Sequence, residues 1–244
     1  MKIFGTSGPR EIRRVTIAAF ANYARYWIDS FSLPNLSDQR VEELFSYDGL
    51  EHITDALEKG NGAILALPHL GGWEFGGRWL SIRGIPLTVV AERLEPPELF
   101  DWFCSLRQSF GMTVVPLGSS AGAEVARALK NGKLVALVAD RVLGDGGIAV
   151  KFFSGEVMIP AGPATLAIRN KCALLPTAVY SYKDGRHHAV IMPGLDTSRK
   201  GALREDVARV TQDLAKSFED LILRDPCQWH MFSPIFLDAP AKGA

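Results

Sequence analysis

Residues 63–77 read AILALPHLGGWEFGG. Ala63–Leu67 is a short, continuous apolar run between turn residues, which fits a strand buried on both faces in a parallel sheet. Pro68 to Gly72 turns the chain, and a helix is predicted from about Trp73 to Arg83. This order of strand, turn and helix puts His69 just past the strand's carboxyl end. In open parallel sheets that edge is where ligands bind. Gly71 and Gly72 carry no side chains there, so backbone can approach a substrate closely. The first N–H groups of the following helix are then expected to face a developing oxyanion.

The same unit repeats outward from this segment. Strands are predicted at 86–91, 113–117 and 134–139, with helices at 100–110 and 121–132 between them. Alternation at this spacing implies an α/β fold, a mostly parallel central sheet flanked by helices on both faces. Further along, strands are predicted at 148–153, 173–182 and 187–192, and helices at 163–170 and 202–224. Upstream, residues 38–59 read as one helical region stopped by Lys59-Gly60. Residues 10–31 read as an amphipathic helix, with Ile12, Val15, Ala19, Tyr23, Tyr26 and Trp27 on one stripe. Arg10, Arg13, Arg14 and Arg25 lie on its other side, a pattern that suits a membrane interface as well as a helix packed on a core. No linker, repeat or low-complexity tract interrupts the chain, so a single domain over 1–244 is expected.

Composition narrows the function classes. Lys plus Arg and Asp plus Glu number 27 each, so the net charge is zero and the basic excess of a nucleic-acid binder is missing. Cys104, Cys172 and Cys227 are scattered and odd in number, which argues against a disulfide framework or a zinc site and for a reducing cytoplasm. No apolar run is long enough to span a bilayer, and MKIFGTSGPREIRR lacks the apolar stretch of a secretory signal. A lipid substrate would therefore be met from the water side.

His69 and Glu74 form an H-x4-E arrangement. On one continuous helix the two would lie about 140° apart, so they face each other only if the chain bends at Gly71-Gly72. Glu74 then falls in the first helical turn, where the dipole favours its charged form. A carboxylate there is expected to hold the imidazole tautomer while His69 takes a proton from a hydroxyl.

A rival lies at 118–122, GSSAG, which satisfies G-x-S-x-G between a predicted strand and a predicted helix. It would make Ser120 the nucleophile of a serine esterase or lipase, with Asp140 or Asp184 as the acid and His187 or His188 as the base. The same residues also read as a plain helix start with Ser120 at the N-cap. Arg141 reads either as an ion-pair partner of Asp140 or Glu156 or as a grip on a phosphate. Glu92 and Asp101 read as surface partners of Arg93 and Arg107, and His230 as packing over the core. A lipid-binding module with a degenerate site is the non-enzymatic alternative.

PHLGGWEFGG resembles the H-x4-D/E block of the lysophospholipid acyltransferase superfamily. It is most similar to the branch of lipid A acyltransferases and phosphatidylinositol mannoside acyltransferases. The similarity continues in order through Val90-Ala91-Glu92-Arg93, Arg107 with FGMTVVPL, VALVADR at 135–141, VKFFSGEVMIPAGPATLA at 150–167, ALLPTAVY at 173–180 and DPCQWHMFSP at 225–234. Ser154, Lys171-Cys172 and Val142 depart from the pattern, at positions that bear on the acceptor and acyl length rather than on His69. The resemblance implies an O-acyltransferase moving a fatty acyl chain from acyl-CoA to a hydroxyl of a membrane glycolipid, most closely a mannose of a phosphatidylinositol mannoside. It implies His69 and Glu74 as the catalytic pair, and Glu92, Arg107, Asp140, Arg141, Phe153 and Gly155 as substrate-binding residues, with Pro160 and Gly162 shaping the pocket wall. It implies no cofactor or metal beyond the co-substrate acyl-CoA. The expected place of action is the cytoplasmic face of the cell membrane, as a peripheral protein. Trp73, Phe75, Trp79 and Phe153 are the candidates for lining an acyl tunnel.

Overall fold

The computed structural model describes residues 8–142 and 146–237. The segment that opens the sequence reading forms β2 (Ala63–Leu67), buried at every position, followed by α4 (Trp73–Ile82). Burial on both faces explains the unbroken apolar run, since neither side of this strand meets water.

The chain begins with α1 (Pro9–Ser32), α2 (Asp38–Leu44), β1 (Phe45–Asp48) and α3 (Leu50–Glu58). After β2 and α4 come β3 (Leu87–Ala91), α5 (Pro97–Ser109), β4 (Thr113–Pro116), α6 (Ala121–Lys130) and β5 (Leu134–Val138). The second half carries β6 (Ile148–Phe152), β7 (Gly155–Ile159), α7 (Gly162–Asn170), β8 (Ala173–Ser181), β9 (His187–Ile191) and α8 (Leu203–Arg224). Seven strands make one sheet in the order β1-β9-β8-β2-β5-β3-β4. Every neighbouring pair is parallel except β8 with β9, whose short connection around Gly185 makes a hairpin. β6 and β7 form a separate antiparallel ribbon.

The sheet is covered on both faces. One face packs on α6, α7 and α8, with Leu129, Leu174, Val210, Leu214 and Phe218 fully buried between them. The other packs on α3 and α4 through Ile53, Leu65, Phe75, Trp79 and Leu87. The expected α/β architecture is therefore present.

Two local expectations need correction. Residues 38–59 are not one helical region: β1 interrupts them and pairs with β9, from Phe45↔His187 to Asp48↔Val190. Phe45 stacks on Trp79 at 4.7 Å between ring centroids, and Gly49 at φ +82° starts the next helix in a left-handed turn. Tertiary packing of an aromatic edge strand has overridden helical periodicity there. Residues 155–159, to which the sequence reading assigns no element, form the second strand of the ribbon.

Candidate active site

The parallel register of β2 and β5 builds the site. Leu67 lies beside Val138, and the Ala139 N–H continues the ladder to the Leu67 carbonyl at 2.8 Å. His69 and Asp140, each two residues past its strand, consequently emerge side by side at the carboxyl edge. His69 Nδ1 and Asp140 Oδ1 are 2.5 Å apart. The second oxygen, Oδ2, accepts the His69 backbone N–H at 2.8 Å and the Trp229 indole N–H at 2.7 Å. Asp140 is buried, which pushes its carboxyl pKa up. The His69 imidazole, the indole and the backbone N–H outweigh that and hold it below the ordinary carboxylate value. A carboxylate on Nδ1 fixes the tautomer that leaves Nε2 as the proton acceptor.

Glu74 does not hold His69. It is buried in the first turn of α4, where both its oxygens receive the Arg107 guanidinium, Nε at 3.1 Å and Nη2 on the other oxygen. The Tyr26 hydroxyl adds a third contact at 3.4 Å. Burial lowers the Arg107 pKa, but Glu74 more than compensates and raises it; burial and the Glu74 charge both push the Tyr26 phenol up. The expected bend at Gly71-Gly72 exists, with Gly71 at φ +64°, but it turns Glu74 into the protein rather than toward the imidazole. Glu74 and Arg107 form a two-pronged buried ion pair that pins α4 to α5. The partnership expected from the spacing is not formed: Asp140 occupies the place expected of Glu74.

The glycine N–H groups are also spoken for. Gly71 donates to the Gln228 carbonyl at 3.0 Å and Gly72 to the Val179 carbonyl at 2.8 Å, so neither is free for an oxyanion. A side chain at Gly72 would meet Ser181 Oγ at 2.7 Å and His187 Nε2 at 2.9 Å. These glycines serve close packing of the turn against β8 and β9.

His69 opens into a cavity of about 380 Å³. Glu92 and Arg141 stand in its wall, paired at 2.7 Å between Oε2 and Nη2 and each about one-third exposed. Pro160 and Gly162, at the start of α7, complete the opposite side. A second, narrow cavity of about 70 Å³ lies between α4 and the sheet, lined almost wholly by apolar side chains including Trp73 and Trp79. Glu74 and Arg107 border this cavity, not the first. Val90 and Val138, near the carboxyl ends of β3 and β5, line both cavities.

The remaining expected residues are placed elsewhere. Phe153, at φ +50° in the turn between β6 and β7, packs with Phe152 and Trp229 and lines neither cavity; nor does Gly155, which opens β7. Phe75 stacks on His187 at 3.9 Å, away from the apolar cavity. The GSSAG reading does not assemble: Ser120 Oγ donates to Glu124 Oε1 at 2.8 Å. Its proposed partners are engaged apart from it, Asp184 with Arg186, His188 with Ser46 and Asp48, and His187 buried beneath Gly72.

The tail supplies what the sequence reading missed. Trp229 reaches Asp140, and the His230 N–H donates to the His69 carbonyl at 2.7 Å. His230 is packed among Tyr23, Tyr26 and Trp73, and burial pushes its pKa down to about 4. The tail thus braces both members of the His69–Asp140 pair.

Comparison with known proteins places the chain in a family. The family described as bacterial lipid A biosynthesis acyltransferase matches residues 2–238. A phosphatidylinositol mannoside acyltransferase of Mycolicibacterium smegmatis is 40% identical over 220 residues, covering 89% of this chain and 70% of the relative. A protein of the same name from Mycobacterium tuberculosis is 38% identical over 226 residues, covering 90% and 69%. Among solved structures, the 1-acyl-sn-glycerophosphate acyltransferase PlsC of Thermotoga maritima aligns at 16% identity with a TM-score of 0.44, covering 87% of this chain and 97% of its own. A match along nearly the whole sequence, with ordered motifs around a strand-end histidine, assigns the chain to the lipid A biosynthesis acyltransferase family.

Proposed function

We propose that this acyltransferase moves a fatty acyl chain from acyl-CoA to a mannose hydroxyl of a phosphatidylinositol mannoside, with His69 as general base. The relatives' shared name supports the acceptor class. The observation that carries the mechanism is the short Nδ1–Oδ1 bond between His69 and Asp140 at the mouth of an open cavity. In the reaction, His69 Nε2 takes the hydroxyl proton as the oxygen attacks the thioester carbonyl. The buried Asp140 carboxylate stabilises the imidazolium that forms. The tetrahedral intermediate collapses, the C–S bond breaks, and the imidazolium proton passes to the departing CoA thiolate, an easier leaving group than an alkoxide. Arg141 and the amino end of α7 stand in the cavity wall, where positive charge and dipole favour developing negative charge. Glu92 orients Arg141. Arg107 fixes Glu74 and thereby the start of α4, so both act as positioning residues. The apolar cavity beneath α4 receives the acyl chain, which leaves the thioester at Val90 and Val138, beside His69.

A lipid acceptor also calls for a membrane surface. Among the described residues no helix is long and apolar enough to cross a membrane. On α1, Tyr26 and Ser30 face the body, while Ile12, Ile17, Phe20, Ile28 and Phe31 are exposed. An exposed apolar face beside Arg10, Arg13 and Arg14 suits peripheral attachment to anionic lipid, here assigned to the cytoplasmic face of the cell membrane. Mass spectrometry after incubation with palmitoyl-CoA and phosphatidylinositol mannoside in mixed vesicles is expected to show one added acyl chain, with free CoA appearing only in the presence of the glycolipid. Equal CoA release without the glycolipid makes the protein a thioesterase and overturns this reading.

A further inference from the structure

We infer that Met112 and Gly77 set the length of acyl chain this protein accepts, an inference that rests on the apolar cavity being the acyl site. The cavity runs along one face of the sheet under α4. At the carboxyl edge it is bounded by Leu67, Val138 and Val179, next to the His69 turn. Met112 lies at the opposite, amino edge. The register Thr88↔Thr113 places it level with Leu87, the first residue of β3, and both line the cavity. Met112 is buried, and its N–H donates to the Arg107 carbonyl at 3.0 Å.

The side chain that closes this end is held by a missing one. A Cβ built on Gly77, in the middle of α4, would lie 2.6 Å from the Met112 Cε and 3.3 Å from its Sδ. Glycine in a helix interior costs stability relative to alanine, so its presence here has a packing reason: the methionine end group occupies the notch. The third neighbour, Leu87 Cδ2 at 3.6 Å, is at ordinary contact. A methyl at position 77 therefore has one flexible obstacle, the thioether tip, and the adjoining open volume is the cavity itself. Gly77→Ala drives that tip into the cavity and shortens it. Met112→Ala removes the stopper and lengthens it. Two small apolar substitutions at touching positions thus act in opposite directions on one property, a pairing that general loosening of the core does not produce.

Binding without acceptor isolates this property from catalysis. Trp73 and Trp79 line the cavity and report occupancy by fluorescence. Full-length protein is titrated with saturated acyl-CoAs from decanoyl to eicosanoyl, below their critical micelle concentrations. Affinity is expected to rise about fourfold per added methylene, the worth of one buried CH2, up to a cut-off length beyond which it stops rising. Met112→Ala is expected to move the cut-off to longer chains and Gly77→Ala to shorter ones. In the Met112→Ala background, Gly77→Ala is expected to lose its shortening effect, since the obstacle is gone. The same cut-off in all four proteins, or acyl-CoA binding that does not quench the tryptophans, overturns the inference. Transfer is scored separately by adding phosphatidylinositol mannoside: a cut-off that shifts while no acylated product forms removes the proposed reaction and leaves the length selection standing.

Discussion

At the residue scale, two carboxylates compete for one role, and strand register and competing partners assign it. Asp140 reaches the imidazole because β2 and β5 run parallel in register, whereas Glu74 is drawn away by Arg107 and Tyr26. The H-x4-E spacing was visible in the sequence, and so was the conflict it carried, a 140° offset that only a bend relieves. The pairing of His69 with Asp140 was legible in principle: AILALPH and LVALVAD each put their polar residue two positions past a buried strand. What was missing is adjacency of β2 and β5, which local pattern does not encode. Trp229 had no local signal at all, standing 89 residues from the carboxylate it bonds. Glu74→Gln is expected to strand the Arg107 charge in a buried site and destabilise the protein by about 3–5 kcal/mol, measured by urea denaturation; a loss within experimental error would show that the pair is not structural. His230 gives a pH signature. Its folded-state pKa of about 4 lies below the ordinary 6.5, so between those values the unfolded chain binds the proton and the folded chain does not. Stability then falls as pH drops through that window. His230→Gln is expected to flatten this fall, compared by denaturation midpoints at pH 7 and pH 5.

At the scale of elements, the alternating strands and helices from β2 to β5 were readable because apolar runs and helical periods alternate and are punctuated by glycine or proline. The edges of the fold were not. β1 is four residues held by pairing to β9 and by stacking of Phe45 on Trp79, contacts that arrive from far along the chain. α1 was read as having one apolar stripe, and it has two uses for apolar residues. Tyr23, Tyr26 and Trp27 pack toward Trp73, His230 and Phe103, while Ile17, Phe20, Ile28 and Phe31 remain outside. Replacing Arg10, Arg13 and Arg14 together by alanine is expected to weaken binding to anionic vesicles on the order of a hundredfold, at about 1 kcal/mol per basic residue near the surface. Co-sedimentation that is unchanged removes α1 as the attachment. The turn before α6 tests the opposite way. Ser120→Ala is expected to keep full transfer activity, and a fluorophosphonate probe is expected to label neither form, because Ser120 is bonded to Glu124 rather than to a base. Labelling lost in the alanine form would revive the serine hydrolase.

At the scale of the whole molecule, the sheet divides the work. Its carboxyl edge carries His69 and Asp140, one cavity opens there past Glu92 and Arg141, and a second runs beneath α4 toward Met112. Val90 and Val138 border both cavities, and the proposed reaction has the thioester held at that edge, its acyl tail beneath α4 and its carbonyl beside the imidazole. This layout followed from the parallel architecture, which sequence alternation did predict; the division into two cavities depends on side-chain packing that it did not. The most direct measurement is kcat for acyl transfer by Asp140→Asn and Glu74→Gln, each checked for retained folding. Asp140→Asn is expected to lower kcat by about 10²–10⁴, the usual worth of an organised general base, while folded Glu74→Gln loses far less. A near-normal kcat for Asp140→Asn, with the large loss in Glu74→Gln, would contradict His69 being poised by Asp140.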